Sequence, residues 1–289
     1  MIPILLLLLF VLLLFFVFAV FVAYRMVSPP RLVGDWTPKD LGFDYEEITI
    51  ETRDGLKLHG WWIDRGSEKT VIPLHGYTAS KWEKIYMKPI LEILLKGGYN
   101  VLVFDFRAHG KSEGKHTTVG DMELTDVLSA IDWLKENRRD RSQKIGLIGF
   151  SMGAIVTIRT LAEDDRVCCG IADSPPIHMD RTGARGLKYF AKLPAWLYSL
   201  IKPITLWISG GRIISIMEYA GKIQKPLLLI AGKKDPLVMV EEIEGFYREN
   251  KKINPHVTLW VSEAAHVRTI SIARDCYETR VLEFFGKWL

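Results

Sequence analysis

At 289 residues and 33.0 kDa, the chain has room for one large α/β domain with an appendage. A formal charge of +4 with no long basic run argues against nucleic acid as a partner. Three cysteines, adjacent Cys168 and Cys169 and distant Cys276, have neither metal-ligand nor disulfide-framework spacing, so they read as packing residues.

The first element is the most apolar. Ile4 to Ala23 contains no charged or polar residue. A helix of that length rises ~1.5 Å per residue and matches a hydrocarbon core of roughly 30 Å. A cleaved signal peptide calls for a basic leading region, a shorter apolar stretch and small residues at the cut site, and none of these is clear. The expectation is a single-pass transmembrane anchor over residues 1–25. Arg25, Arg31 and Lys39 follow it, and the positive-inside tendency then places the remainder on the cytoplasmic side. Residues 26–42, with Ser28-Pro29-Pro30 and Pro38, read as a short stiff linker.

Beyond it, Glu47–Thr52 alternates as a strand, Asp54-Gly55 supplies a turn, and Leu56–Asp64 returns as its antiparallel partner. Val71–Leu74 is a third strand, ending in His75-Gly76-Tyr77. Helical spacing follows from Trp82 to Lys96, with Gly97-Gly98 as its stop signal. Val101–Phe104 is a continuous apolar run, as suits a strand covered on both faces. A polar loop and a helix over about 120–137 lead to the strand Lys144–Ile148. Further strands are expected at Val167–Ala172, Pro226–Gly232 and Val257–Val261, with a helix near Val240–Asn250 and another at the C-terminus. Alternating strands and helices point to one sheet, mostly parallel, with an antiparallel hairpin at its start. Residues 175–217 are too long and irregular for a simple connection, and read as a lid inserted between two core strands.

Chemistry centres on Gly149-Phe150-Ser151-Met152-Gly153, at a predicted strand-to-helix junction. Such a turn is the nucleophile elbow. Glycine on both flanks avoids side-chain clashes, and the serine hydroxyl is lifted above the sheet at the positive end of the next helix. A serine hydroxyl needs a base to take its proton. His266, directly after the last strand, is the candidate, with His75 and His109 as competitors placed inside other motifs. The base in turn needs a carboxylate to fix its tautomer. Asp235, in Gly232-Lys233-Lys234-Asp235-Pro236, is the first choice and Asp173 the alternative. The order serine, acid, histidine is that of the elbow-type hydrolases. Acyl transfer also needs an oxyanion hole. Its expected donors are the backbone N–H of Met152 and that of Tyr77, with Gly76 permitting close approach and His75 in a structural role.

Four segments together, His75-Gly76-Tyr77, Asp105–Ser112, Gly149–Gly153 and Asp235 with His266, resemble the α/β-hydrolase-fold serine hydrolases. The resembling branch contains monoacylglycerol lipases, carboxylesterases and serine aminopeptidase-like hydrolases, and the match covers about residues 43–289. It implies an eight-stranded, mostly parallel sheet with helices on both faces. The second segment is similar to that family's Asp-x-Arg-Gly-x-Gly-x-Ser loop, with Ala108 where glycine is usual and His109 at the spacer. An elbow serine in place of aspartate makes dehalogenase or epoxide-hydrolase chemistry unexpected. Neither metal nor cofactor is called for.

The lid interleaves Tyr189, Phe190, Trp196, Tyr198 and Trp207 with Arg181, Arg185, Lys188, Lys192 and Lys202. That pattern suits a membrane interface, although aromatics packed inward with solvated cations would read the same. The expected function is hydrolysis of lipid-like or medium- to long-chain acyl esters through an acyl-Ser151 intermediate, falling at acidic pH. The alternatives are peptide, amide or thioester cleavage at the same residues, and an inactive membrane scaffold.

Overall fold

The structure, a computed structural model, describes residues 2–289. Eight strands form one sheet: β1 (Glu46–Glu51), β2 (Lys57–Ile63), β3 (Lys69–Leu74), β4 (Asn100–Phe104), β5 (Lys144–Phe150), β6 (Val167–Asp173), β7 (Leu227–Gly232) and β8 (Val257–Ser262). Their spatial order is β1-β2-β4-β3-β5-β6-β7-β8. β2 runs antiparallel to both neighbours, and every other pairing is parallel. The expected mostly parallel sheet with its opening hairpin is what forms.

Continuous apolar strands arise because helices cover both faces. On β4, Leu102 and Phe104 enter one core with α3 (Glu123–Asn137), α4 (Met152–Glu163) and α7 (Val240–Lys251). Val101 and Val103 point the other way, toward α2 (Met87–Lys96) and α9 (Arg274–Trp288). A short helix, α8 (Thr269–Ile272), precedes α9.

Three segments depart from the spacing-based expectation. The helix expected from Trp82 begins only at Met87, because the Glu83 carboxylate bends back to accept from the N–H groups of Ile85 and Tyr86. The helix expected from about 120 begins at Glu123 for a similar reason. That buried carboxylate accepts from Thr117 Oγ1, Thr118 and Gly120, and these donors hold it below the usual carboxylate range despite its burial. The stretch read as a linker is largely docked. Trp36 is buried with its indole N–H donating to the Trp82 carbonyl, and Arg31 donates to the carbonyls of Ser112 and Gly114.

The insertion between β6 and β7 carries two helices, α5 (Met179–Ala191) and α6 (Leu197–Ser209). The N-terminal apolar helix α1 spans Ile2–Val27, long and apolar enough to cross a membrane. Its last turns join the lid: Ala19, Val22 and Ala23 pack with Leu187 of α5 and with Leu197, Tyr198 and Ile201 of α6.

Candidate active site

β5 delivers the elbow. Ser151 sits between β5 and α4 with φ +53° and ψ −111°, a left-handed backbone that an L-residue adopts only under strain. The neighbouring backbones explain the flanking glycines. A Cβ on Gly149 would lie 2.1 Å from the Gly153 carbonyl oxygen, and one on Gly153 would lie 2.2 Å from the Leu74 carbonyl oxygen. Only glycine lets α4 start this close to β3 and β5. The Ser151 N–H is held by the Asp173 carbonyl at 2.9 Å.

The other two groups arrive from the ends of β7 and β8. The segments after these strands run together, with Lys233 N–H donating to the Ser262 carbonyl and Lys234 N–H to that of Ala264. A Cβ on Gly232 would stand 2.4 Å from the Ala264 carbonyl oxygen, so this contact also needs glycine. Asp235 is buried, and its Oδ1 accepts from the N–H groups of Leu237 (2.8 Å) and Val238 (2.9 Å). Oδ2 lies 2.6 Å from His266 Nδ1, and His266 Nε2 lies 2.9 Å from Ser151 Oγ. With Oδ2 accepting from Nδ1–H, Nε2 is left as the acceptor facing the serine hydroxyl. The carboxylate is sequestered while the imidazole keeps a 17% exposed side chain, so a substrate can reach the serine–histidine end.

Asp173, the alternative acid, is bonded elsewhere. Its Oδ1 accepts from Ser174 Oγ (2.9 Å) and Oδ2 from the Tyr277 hydroxyl (3.0 Å). Burial pushes its carboxyl up to about 6. Ser174 Oγ also accepts from the N–H of Val267, whose φ of +48° bends the chain just after His266. Asp173, Ser174 and Tyr277 thus brace the histidine loop from below. Nothing in the sequence pattern marked Ser174 or Tyr277, because their significance lies in a contact across more than 90 residues.

The two competing histidines have structural partners. His75 Nε2 accepts from Phe106 N–H at 2.9 Å, so Nδ1 carries the proton and donates to the Gly76 carbonyl at 2.8 Å. Complete burial holds the ring well below its ordinary pKa, hence neutral. His109 Nδ1 lies 2.8 Å from the Arg107 carbonyl oxygen, and burial lowers its pKa too. The loop that holds His109 closes on Asp105, whose carboxylate accepts from Lys81 N–H, Lys81 Nζ and Lys111 N–H. Ala108, standing where glycine is usual in the resembling family, takes φ +60°. That conformation costs an L-residue about 1–2 kcal/mol, which the loop's bonds offset.

Gly76 brings β3's exit against the elbow: a Cβ there would lie 3.4 Å from Ser151 Cβ and 3.3 Å from the Phe150 carbonyl oxygen. Among the described residues, the N–H groups of Met152 and Tyr77 have no hydrogen-bond partner. Two unpaired donors flank the serine, one at the N-terminus of α4 and one on the β3 loop. The Tyr77 hydroxyl, in contrast, donates to the Met26 carbonyl of α1 at 2.9 Å. The arrangement couples a hydroxyl, an imidazole and a buried carboxylate beside two free N–H groups, which is what acyl transfer through a serine requires.

The chain is similar to known hydrolases. Residues 52–202 match the model of the X-Pro dipeptidyl-peptidase (S15) family. The solved esterase Pf2001 of Pyrococcus furiosus is 58% identical, covering 92% of this chain and 99% of its own, with a TM-score of 0.83. The Bacillus subtilis protein YqkD is 32% identical over 82% of this chain and 78% of its own. A Saccharomyces cerevisiae protein described as a membrane protein is 26% identical over 75% of this chain and 73% of its own.

Proposed function

The chain belongs to the X-Pro dipeptidyl-peptidase (S15) family of α/β-hydrolases, and on that premise we propose that it is a membrane-anchored serine esterase acting on lipid-like carboxylic esters. The observation that carries this reading is the unbroken path from Ser151 Oγ through His266 to Asp235, at 2.9 and 2.6 Å. The esterase assignment draws on the Pyrococcus relative. The anchor draws on the length and composition of α1, and the yeast membrane protein adds support. Arg25, Arg31 and Lys39 favour a cytoplasmic catalytic domain.

In this mechanism His266 Nε2 takes the Ser151 proton as Oγ attacks the ester carbonyl carbon. The resulting oxyanion is met by the N–H groups of Met152 and Tyr77, and the imidazolium by Asp235. His266 then hands its proton to the departing alkoxide, leaving an acyl-Ser151. Water, deprotonated by the same imidazole, attacks the acyl carbonyl, and the proton returns to Ser151 as the carboxylic acid leaves. Long acyl chains fit a site held beside a bilayer, where such substrates are concentrated.

Ser151→Ala should abolish fluorophosphonate labelling and p-nitrophenyl ester turnover. Persistence of either would refute the assignment. The S15 match favours a second reading, cleavage of an amide or peptide bond by the same residues. A panel of acyl esters, acyl thioesters and aminoacyl-prolyl amides separates the two by relative kcat/KM.

A further inference from the structure

The apolar stretch of α1 runs on into the turns that pack on the lid. Residues Ile2–Phe18, 17 in number, are all exposed. At ~1.5 Å per residue they cover roughly 25 Å, against a hydrocarbon core of roughly 30 Å. The helix continues into turns packed on the lid, where Ala19, Val22 and Ala23 are buried against α5 and α6. The outward side of those turns is still apolar, with Phe21 and Tyr24 exposed before the first cation, Arg25. A spanning α1, packed on α6 by its last turns, therefore holds α6 near the membrane boundary.

The lid is dressed for that position. Leu197, Tyr198 and Ile201 are turned inward against α1, while Phe190 (67%), Trp196 (64%), Leu200 (50%) and Trp207 (83%) are exposed. Tryptophan is at home at the headgroup level, with its ring among acyl chains and its N–H toward water. Lys188 and Lys192 are exposed on the same end of α5, where ammonium groups can meet lipid phosphates.

We propose that α6 and the C-terminal end of α5 form an interfacial wedge seated in the bilayer leaflet that α1 enters. Phe190, Trp196, Leu200 and Trp207 contact acyl chains, and Lys188 and Lys192 contact lipid phosphates. The wedge rests on the reading of α1 as a membrane span. It also ties the bilayer to the active site at two points. The Met26 carbonyl of α1 accepts from the Tyr77 hydroxyl beside a proposed oxyanion donor, and Arg185 of α5 donates to the Leu237 carbonyl next to Asp235. Both rims of the site thereby face the leaflet, and the substrate class is an ester already dissolved in it.

The test uses the full chain in phospholipid nanodiscs, with and without bromine on the acyl chains. Of the nine tryptophans, Trp36, Trp61, Trp62 and Trp82 are buried in the catalytic domain and three more are partly buried there, which leaves Trp196 and Trp207 to meet lipid. Brominated chains should quench part of the wild-type fluorescence. W196F/W207F should lose that quenching while keeping the parent's thermal unfolding curve. Equal quenching in both proteins, or none in a wild type that co-elutes with the disc, overturns the wedge and leaves the anchor standing. A full chain that fails to float with liposomes overturns the anchor, and the wedge with it.

Discussion

Gly149→Ala puts the elbow argument at risk most directly. The added Cβ would stand 2.1 Å from the Gly153 carbonyl oxygen and 2.4 Å from Thr157 Oγ1. A relaxed carbon–oxygen contact needs about 3.3 Å, so β5 and α4 must separate by about 1 Å. The opposing atoms are helix backbone, further pinned by the 2.9 Å bond from Thr157 Oγ1 to the Gly153 carbonyl, so no flexible side chain can absorb the strain. The displacement falls on Ser151, and an added ångström takes its 2.9 Å contact with His266 out of hydrogen-bond reach. A misplacement of that size costs about 10²-fold in kcat, and overpacking costs about 1–3 kcal/mol of stability. Initial rates on p-nitrophenyl butyrate and thermal unfolding by circular dichroism measure the two effects separately. Gly245→Ala is the companion: it lies within α7 with no atom within 4 Å of the new Cβ. It should keep the parent rate and gain about 0.5–1 kcal/mol. A Gly149→Ala protein with the parent's rate and melting temperature would refute the reasoning.

Asp235→Asn should lower kcat by on the order of 10⁴ with KM little changed, because the wrong imidazole tautomer is stabilised. The Asn oxygen stays with the N–H groups of Leu237 and Val238, so its NH₂ faces Nδ1 and drives the ring proton to Nε2. Steady-state kinetics on one ester, with an unchanged unfolding curve, checks it. Asp173→Asn should stabilise the fold above pH 6 and be neutral near pH 4. The native carboxyl is pushed up to about 6 from 3.8, so its contribution is fully present below 3.8 and is lost as pH rises through 6. The upper bound is about 3 kcal/mol, read as a Tm difference between variant and parent that grows with pH. Lys81→Met should cost about 3–5 kcal/mol in urea unfolding, since it strips the buried Asp105 carboxylate of its cation. The double variant Lys81→Met/Asp105→Asn should recover part of that loss.

Much of the sheet was legible because burial on two faces demands unbroken apolar runs, and β3 to β7 all show them. Helix starts were less so. Glu83 and Glu123 look like ordinary helical residues until their carboxylates are seen to cap the turns before Met87 and at Glu123. Lid periodicity could not say which aromatics face outward. Tyr198 and Trp207 lie on opposite faces of α6, but nothing in the pattern says which face turns to α1; Tyr198 is buried against it and Trp207 is 83% exposed.

Local chemistry decides what a short stretch can do by itself, and so the sequence determined the elbow turn, the candidate serine, acid and histidine, and the apolar N-terminal helix. Distances between remote segments belong to tertiary structure. Ser151 and His266 are 115 residues apart and meet only because β5, β7 and β8 end on the same edge of a parallel sheet. Folding also gave the two candidate acids different partners. Asp235 reached the imidazole and Asp173 went to Tyr277, because each carboxylate took the donors that its own strand end presented. The docking of α1 on the lid was decided in the same way, by complementary apolar surfaces that no linear pattern pairs.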